Sequence, residues 1–187
     1  MKTTQFARVR SGPRGRQIWA GLLCGAAAGA AGTTTLNVIT YLDIALRGRP
    51  TSSTPERTVE AMARLFGLTV PGSGEVLANR ISGLGALTGY AAGIGMGMAL
   101  GLAYALGWRP GLLMATLVAT AVALIGTNGP MTVLGVTDPR TWSVVDWISD
   151  LIPHLGYGVV TALVLHYLHP LCRPSPEERP SGAPRVA

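Results

Sequence analysis

Asp150 and His154 stand four residues apart in "ISDLIPHLGY" (148–157), a segment that is otherwise almost wholly apolar. On a helix, residues four apart share a face, so this spacing sets a carboxylate beside an imidazole. That pair can move protons as a general acid–base couple. Hydrogen-bonding side chains recur in the other apolar runs. Thr33, Thr34, Thr35, Asn37 and Thr40 lead up to Asp43, and Thr127 and Asn128 precede Pro130. Counting along helices that rise 1.5 Å per residue, Asn37, Asn128 and His154 fall at one level in the outer half of a bilayer. Asp43, Asp146 and Asp150 fall at its outer rim. Pro130 and Pro153 each leave a helix carbonyl without its usual donor near that level.

Ionisable groups inside a membrane are costly and turn toward the bundle interior or a wet cavity. Two readings follow. In one, Thr33, Asn37, Asp43, Thr127, Asn128, Asp146, Asp150 and His154 line an outward-opening polar vestibule that binds or passes a small solute or ion. In the other, the same residues form a network that fixes helix register, with the threonines bonding back to their own helices.

Other chemistry is thinly supported. His166, His169 and Cys172 are spaced by three, a separation at which neighbouring ligands can share a metal. Pro170 breaks the helix between them, and His and Tyr167 suit a membrane interface, so no metal is expected. There is no C-x-x-C, H-E-x-x-H or G-x-S-x-G pattern, and no cofactor or catalytic residue is assigned. An enzyme would rest on Asp150 and His154 alone.

The elements that must position these residues are helices. Charged residues make up 13% of the 187, against about 25% in an ordinary soluble domain. Four runs, Ile18–Leu42, Ile81–Trp108, Pro110–Thr137 and Leu151–Leu171, carry no Asp, Glu, Lys or Arg. Each reaches the roughly 20 residues that cross a hydrocarbon layer about 30 Å thick. The reading is an all-α, four-helix transmembrane bundle over 17–168, with helices near 17–46, 81–108, 110–136 and 147–168. A basic tail (1–16) precedes it and a Pro-rich, disordered tail (169–187) follows. The first run continues too far past "GAAAGAAG" for a cleaved signal peptide. An external insertion at 48–79 contains a short amphipathic helix, with Thr54 as cap, Pro55 at the first position and Val59, Met62, Ala63 and Phe66 on one face.

Charge sets orientation. Lys2, Arg8, Arg10, Arg14, Arg16, Arg109, Arg173, Arg179 and Arg185 all lie on one side of this plan, offset there only by Glu177 and Glu178. The positive-inside rule then places both termini in the cytoplasm. Fourteen Arg to one Lys fits the codon bias of a GC-rich bacterial genome, and the expected location is a bacterial plasma membrane. The net charge of +6 is read as contact of the basic tails with anionic lipid head groups, not as nucleic-acid binding. Cys24 and Cys172 both fall near the reducing side, so no structural disulfide is expected.

Glycine recurs every fourth residue, at Gly21, Gly25 and Gly29 in the first helix and at Gly85, Gly89, Gly93, Gly97 and Gly101 in the second. Each glycine costs about 1 kcal/mol in a helix relative to Ala, and such stripes let helices approach closely in lipid. Gly111, Ala115, Ala119, Ala123 and Thr127 repeat the pattern. An echo of "ISGLGALTGY" (81–90) in "ISDLIPHLGY" suggests two duplicated hairpins, in which Leu87 and His154 are counterparts.

The strings "TYLDIALRGRPTSSTPE" (40–56) and "NGPMTVLGVTDPRTWSVVDWISDLIPHLGYG" (128–158) resemble a family of small four-span integral membrane proteins from GC-rich bacteria. That resemblance implies the topology and no reaction. Two functions stay open: a bundle that binds or passes a small solute or ion, and a non-catalytic accessory subunit whose glycine faces dock a homo-oligomer or a larger membrane partner.

Overall fold

A backbone in apolar surroundings must satisfy each N–H and C=O within its own segment, so the uncharged runs fold as helices. The computed structural model describes residues 12–168. It contains α1 (Pro13–Arg47), α2 (Thr54–Leu65), α3 (Gly74–Ala105), α4 (Leu112–Val133) and α5 (Val144–Leu168), with a 3-10 turn at Pro139–Thr141. No strand occurs among the described residues. α1, α3, α4 and α5 are each long and apolar enough to cross a membrane. The tail expected at 169–187, and with it His169 and Cys172, lies outside the described residues, as do residues 1–11.

Several boundaries move for local reasons. α1 begins at Pro13, four residues before Gln17, because Pro suits the first helical position. α3 begins at Gly74, not Ile81. Glu75 in its first turn complements the positive end of the helix dipole, and the added turns carry Arg80 above the apolar run. α4 stops at Val133, not residue 136, and two residues on Gly135 adopts a left-handed φ of 67°. The cap of α2 is Ser53, and Thr54 is its first residue. Of the face expected on α2, Val59 is buried but Met62 and Phe66 are exposed, and Ala61, outside that face, is buried as well. α2 touches α3 near its N-terminal end, where Pro55 meets Gly85 and Ser82 Oγ donates to Glu56 Oε1 at 3.1 Å.

The glycine stripes hold the bundle together. A Cβ built on Gly21 would lie 2.7 Å from the Gly101 carbonyl oxygen, and one on Gly29 2.6 Å from that of Gly93. Gly25 faces Gly97 in the same way. α1 and α3 therefore touch backbone to backbone, and no side chain larger than hydrogen fits between them. Gly89 corrects the stripe: nothing lies within 4 Å of its Cβ position, and it is exposed. The top of the ladder, Gly85, meets α2 in place of α1. On its other side α1 packs against α5, where Gly32 receives Tyr157 and Thr161, and α5 packs against α4, where Gly158 receives Thr120. Ala28, Leu100, Tyr104, Ala119 and Leu165 join all four long helices in one buried cluster. Tyr104 stacks edge-on against Trp108 at 5.4 Å. Arg109 donates to the carbonyls of Tyr104 and Trp108, closing the α3–α4 turn at the negative end of α3.

Cys24 is disulfide-bonded, against the expectation of free thiols. Its side chain is buried, with Sγ 4.0 Å from the Leu168 carbonyl oxygen. A buried sulfur is shielded from reductants in solution, so an argument from the redox compartment does not decide its state.

The proposed counterparts of the two hairpins occupy different environments. Leu87 is 65% exposed where His154 is 7%, and Tyr90 is 39% exposed where Tyr157 is 1%.

Gly97→Ala places a methyl 2.5 Å from Gly29 Cα and should destabilise the bundle by about 1–3 kcal/mol, the usual range for overpacking. Gly89→Ala meets nothing and should gain up to about 1 kcal/mol of helix propensity. Melting in detergent checks both; equal effects would mean that the α1–α3 contact is not backbone-close.

Candidate functional site

Asp150, His154, Thr127 and Asn128 meet where α4 and α5 face each other. Asn128 Nδ2 donates to Asp150 Oδ2 at 2.8 Å. His154 Nδ1 lies 2.7 Å from the backbone carbonyl oxygen of Asp150 and 3.4 Å from Asp150 Oδ1. His154 Nε2 lies 3.1 Å from Thr127 Oγ1, and that hydroxyl is 2.8 Å from the Ala123 carbonyl oxygen. Asp150 is the more exposed of the two, with 21% of its side-chain surface accessible against 9% for His154. The register that creates this meeting comes from the close contact of Gly158 with Thr120. Thr127 is two turns from Thr120, and His154 is one turn from Gly158, on the facing stripes.

The other four expected members are elsewhere. Thr33 is buried against Gly93 and donates to its own Gly29 carbonyl at 2.8 Å. Asn37 is half-buried and joins no hydrogen bond of the cluster. Asp43 belongs to a rim network in which it accepts from Arg49 Nε at 2.6 Å and Arg47 Nη1 at 3.2 Å. Arg47 also donates to Ser149 Oγ at 3.0 Å, tying the end of α1 to the start of α5. Asp146 is a helix cap: Oδ2 accepts from Ser143 N at 2.9 Å and Oγ at 2.7 Å, while Asp146 N donates to Ser143 Oγ at 3.2 Å. This is a reciprocal capping box, and the spacing "SVVD" was its signal. It also explains why α5 starts at Val144 and not at residue 147.

Two residues outside the expected set matter to the geometry. Tyr157 reaches from α5 past α1 and donates to the Gly93 carbonyl of α3 at 2.7 Å. Thr161, also buried, donates to the Ala28 carbonyl at 3.4 Å. Tyr157 was visible only as the last residue of the echo; its role depends on Gly32 leaving space for the ring.

Two surface grooves lie away from the cluster. One, of about 390 Å³, runs past Arg57, Thr132, Thr137, Asp138 and Arg140; the other, of about 380 Å³, runs past Val70, Pro71, Arg80 and Leu84. In the loop after α4, Arg140 beside Asp138 holds that carboxyl below its ordinary value. Trp142 donates to Thr137 Oγ1 at 3.0 Å and lies 5.0 Å from Trp147, the kind of pair found at membrane–water interfaces. Among the described residues no three His, Cys, Asp or Glu are grouped to hold a metal ion. His166 stacks edge-on against Tyr167.

The chain matches no protein-family model, no curated protein and no solved structure.

Tyr157→Phe should cost about 1 kcal/mol, one buried hydrogen bond, without changing the spectra of the α4–α5 cluster. Ser143→Ala should cost about 1 kcal/mol through the lost cap and likewise leave His154 undisturbed. A His154 signal that moves in Ser143→Ala would return Asp146 to the cluster.

Proposed function

We propose that this multi-pass membrane protein binds or passes a small solute or ion through the α4–α5 polar cluster in the outer half of its bundle. One observation carries the reading. A histidine, a carboxylate, an amide and a hydroxyl from two helices are mutually hydrogen-bonded at a depth where leucines would pack at lower cost. The rim network of Asp43, Arg47, Arg49 and Ser149 adjoins Asp150 in sequence and gives the cluster a polar side. The proposed setting is a bacterial plasma membrane with both termini cytoplasmic, supported by the nine basic residues on one side of the plan.

A second reading, an accessory subunit without catalysis, is favoured by a different observation. Gly89 on α3 is exposed and has nothing within 4 Å of its Cβ position, so a helix of another chain can come close there.

Purified protein in vesicles tests the first reading. Flux driven by an ion or pH gradient is expected, and His154→Gln should abolish its pH dependence while the protein inserts and melts nearly as before. No flux, together with a stoichiometric partner copurifying from native membrane, supports the accessory role. For orientation, cysteine introduced at Ser73 should label from outside intact cells and cysteine at Ser11 should not; the reverse pattern inverts the topology.

A further inference from the structure

The geometry points to a more specific ligand for this cluster: the site binds a proton at His154 Nε2 and couples its loss to rotation of the Thr127 hydroxyl. This rests on the transport-like reading above and narrows its ligand to H⁺.

The argument begins with what each atom can do. The Asp150 backbone oxygen only accepts, so Nδ1, 2.7 Å away, must carry a hydrogen. The Thr127 hydroxyl has one hydrogen and three acceptors within reach, of which the Leu124 carbonyl oxygen is the most distant at 3.4 Å. It can donate to the Ala123 carbonyl at 2.8 Å or to Nε2 at 3.1 Å, but not to both at full strength. If it donates to Ala123, Nε2 must itself carry a hydrogen and donate to Thr127 Oγ1. The ring is then an imidazolium, with Asp150 Oδ1 3.4 Å from Nδ1 as its counter-charge. If Nε2 is bare, the hydroxyl turns to it.

Neither state strands a buried group. In the helix, the Ala123 carbonyl also accepts the Thr127 backbone N–H, so it stays bonded when the hydroxyl leaves. Nδ1 keeps its partner throughout, and Asp150 keeps Asn128. A pair of arrangements in which every polar atom is satisfied, differing by one proton and one rotor, is what a proton site needs. Anything larger would have to break these bonds to enter, and the grooves described above lie elsewhere.

The chemistry balances as one H⁺ taken up from water at Nε2 and returned to it, with no other bond made or broken. Charges that face the ring are few. Asp150 is on α5 itself; Arg47 of α1, paired with Asp43, reaches α5 at Ser149, one residue from Asp150. α4 carries no ionisable side chain, and α3 carries only Tyr90 between Arg80 and Tyr104.

Nitrogen and carbonyl NMR on the full-length, isotopically labelled protein in lipid bilayers tests this, with His154→Gln assigning the ring signals. Across the pH range in which the protein stays folded, Nδ1 should keep its protonated-type signal while Nε2 alone switches to the acceptor type. The Ala123 carbonyl should shift over the same pH interval. Thr127→Ser should preserve that carbonyl response and Thr127→Val should abolish it, with both variants still folded by melting. The inference is overturned if Nε2 never switches, if Nδ1 is the nitrogen that loses its proton, or if Ala123 responds equally in Thr127→Val. A switching ring in a protein without pH-dependent flux would refute the transport reading and leave the proton site standing. PH-dependent flux over a ring that never switches would do the opposite.

Discussion

The contact of α1 with α3 along Gly21, Gly25, Gly29, Gly93, Gly97 and Gly101 is the constraint from which the other packing follows. Between helices in lipid there is no hydrophobic drive, so association depends on close van der Waals approach and on hydrogen bonds. Hydrogen in place of a side chain at six facing positions lets two backbones touch over three turns. That proximity exposes the Gly93 carbonyl to Tyr157 and sets Thr33 over Gly93. α5 is consequently held to both α1 and α3, and α4 is held mainly by α5, with Gly126 against Met96 of α3 as a lesser contact. The order of packing runs from the ladder outward.

The polar cluster sits at the far end of that chain of contacts. Gly158 against Thr120 sets how α4 slides along α5, and the meeting of Thr127 with His154 is the consequence two turns further out. A shift of one turn would put His154 opposite apolar residues, and the buried ring would lose its partners. Buried polar groups left half-satisfied are worse than an apolar core, so the cluster also reports that the register is correct. The two readings of the polar residues, a site and a device for fixing register, are therefore compatible in this molecule: the same bonds that specify the register present a titratable ring.

The division of labour between acids illustrates how position decides chemistry. Asp43, Asp146 and Asp150 were equivalent as charges at one rim. Asp43 neutralises Arg47 and Arg49, Asp146 closes a helix end against Ser143, and Asp150 alone turns inward to Asn128 and His154. The partner available within about 3 Å, not the residue type, assigns each role.

Much of this was legible in one dimension, because it depends only on local composition. Four uncharged runs of sufficient length dictate four helices wherever water is absent, and glycine at every fourth position dictates a flat stripe on a helix whatever it meets. The i, i+4 spacing of Asp150 and His154 likewise brings them together on any helix. Three things depended on distant parts of the chain and had no local signal. Gly89 has the same spacing as its neighbours and yet faces nothing, because α2 has taken the top of α3. Leu87 and His154 hold matching places in similar strings and yet differ in burial, because α4 covers α5 at His154 while Leu87 on α3 stays exposed. Thr127 and Asn128 became partners of α5, while Asn37, as polar and at the same depth, did not. Periodicity along a helix determines which residues share a face, but which face meets which is a property of the whole packing, and only the folded bundle decided it.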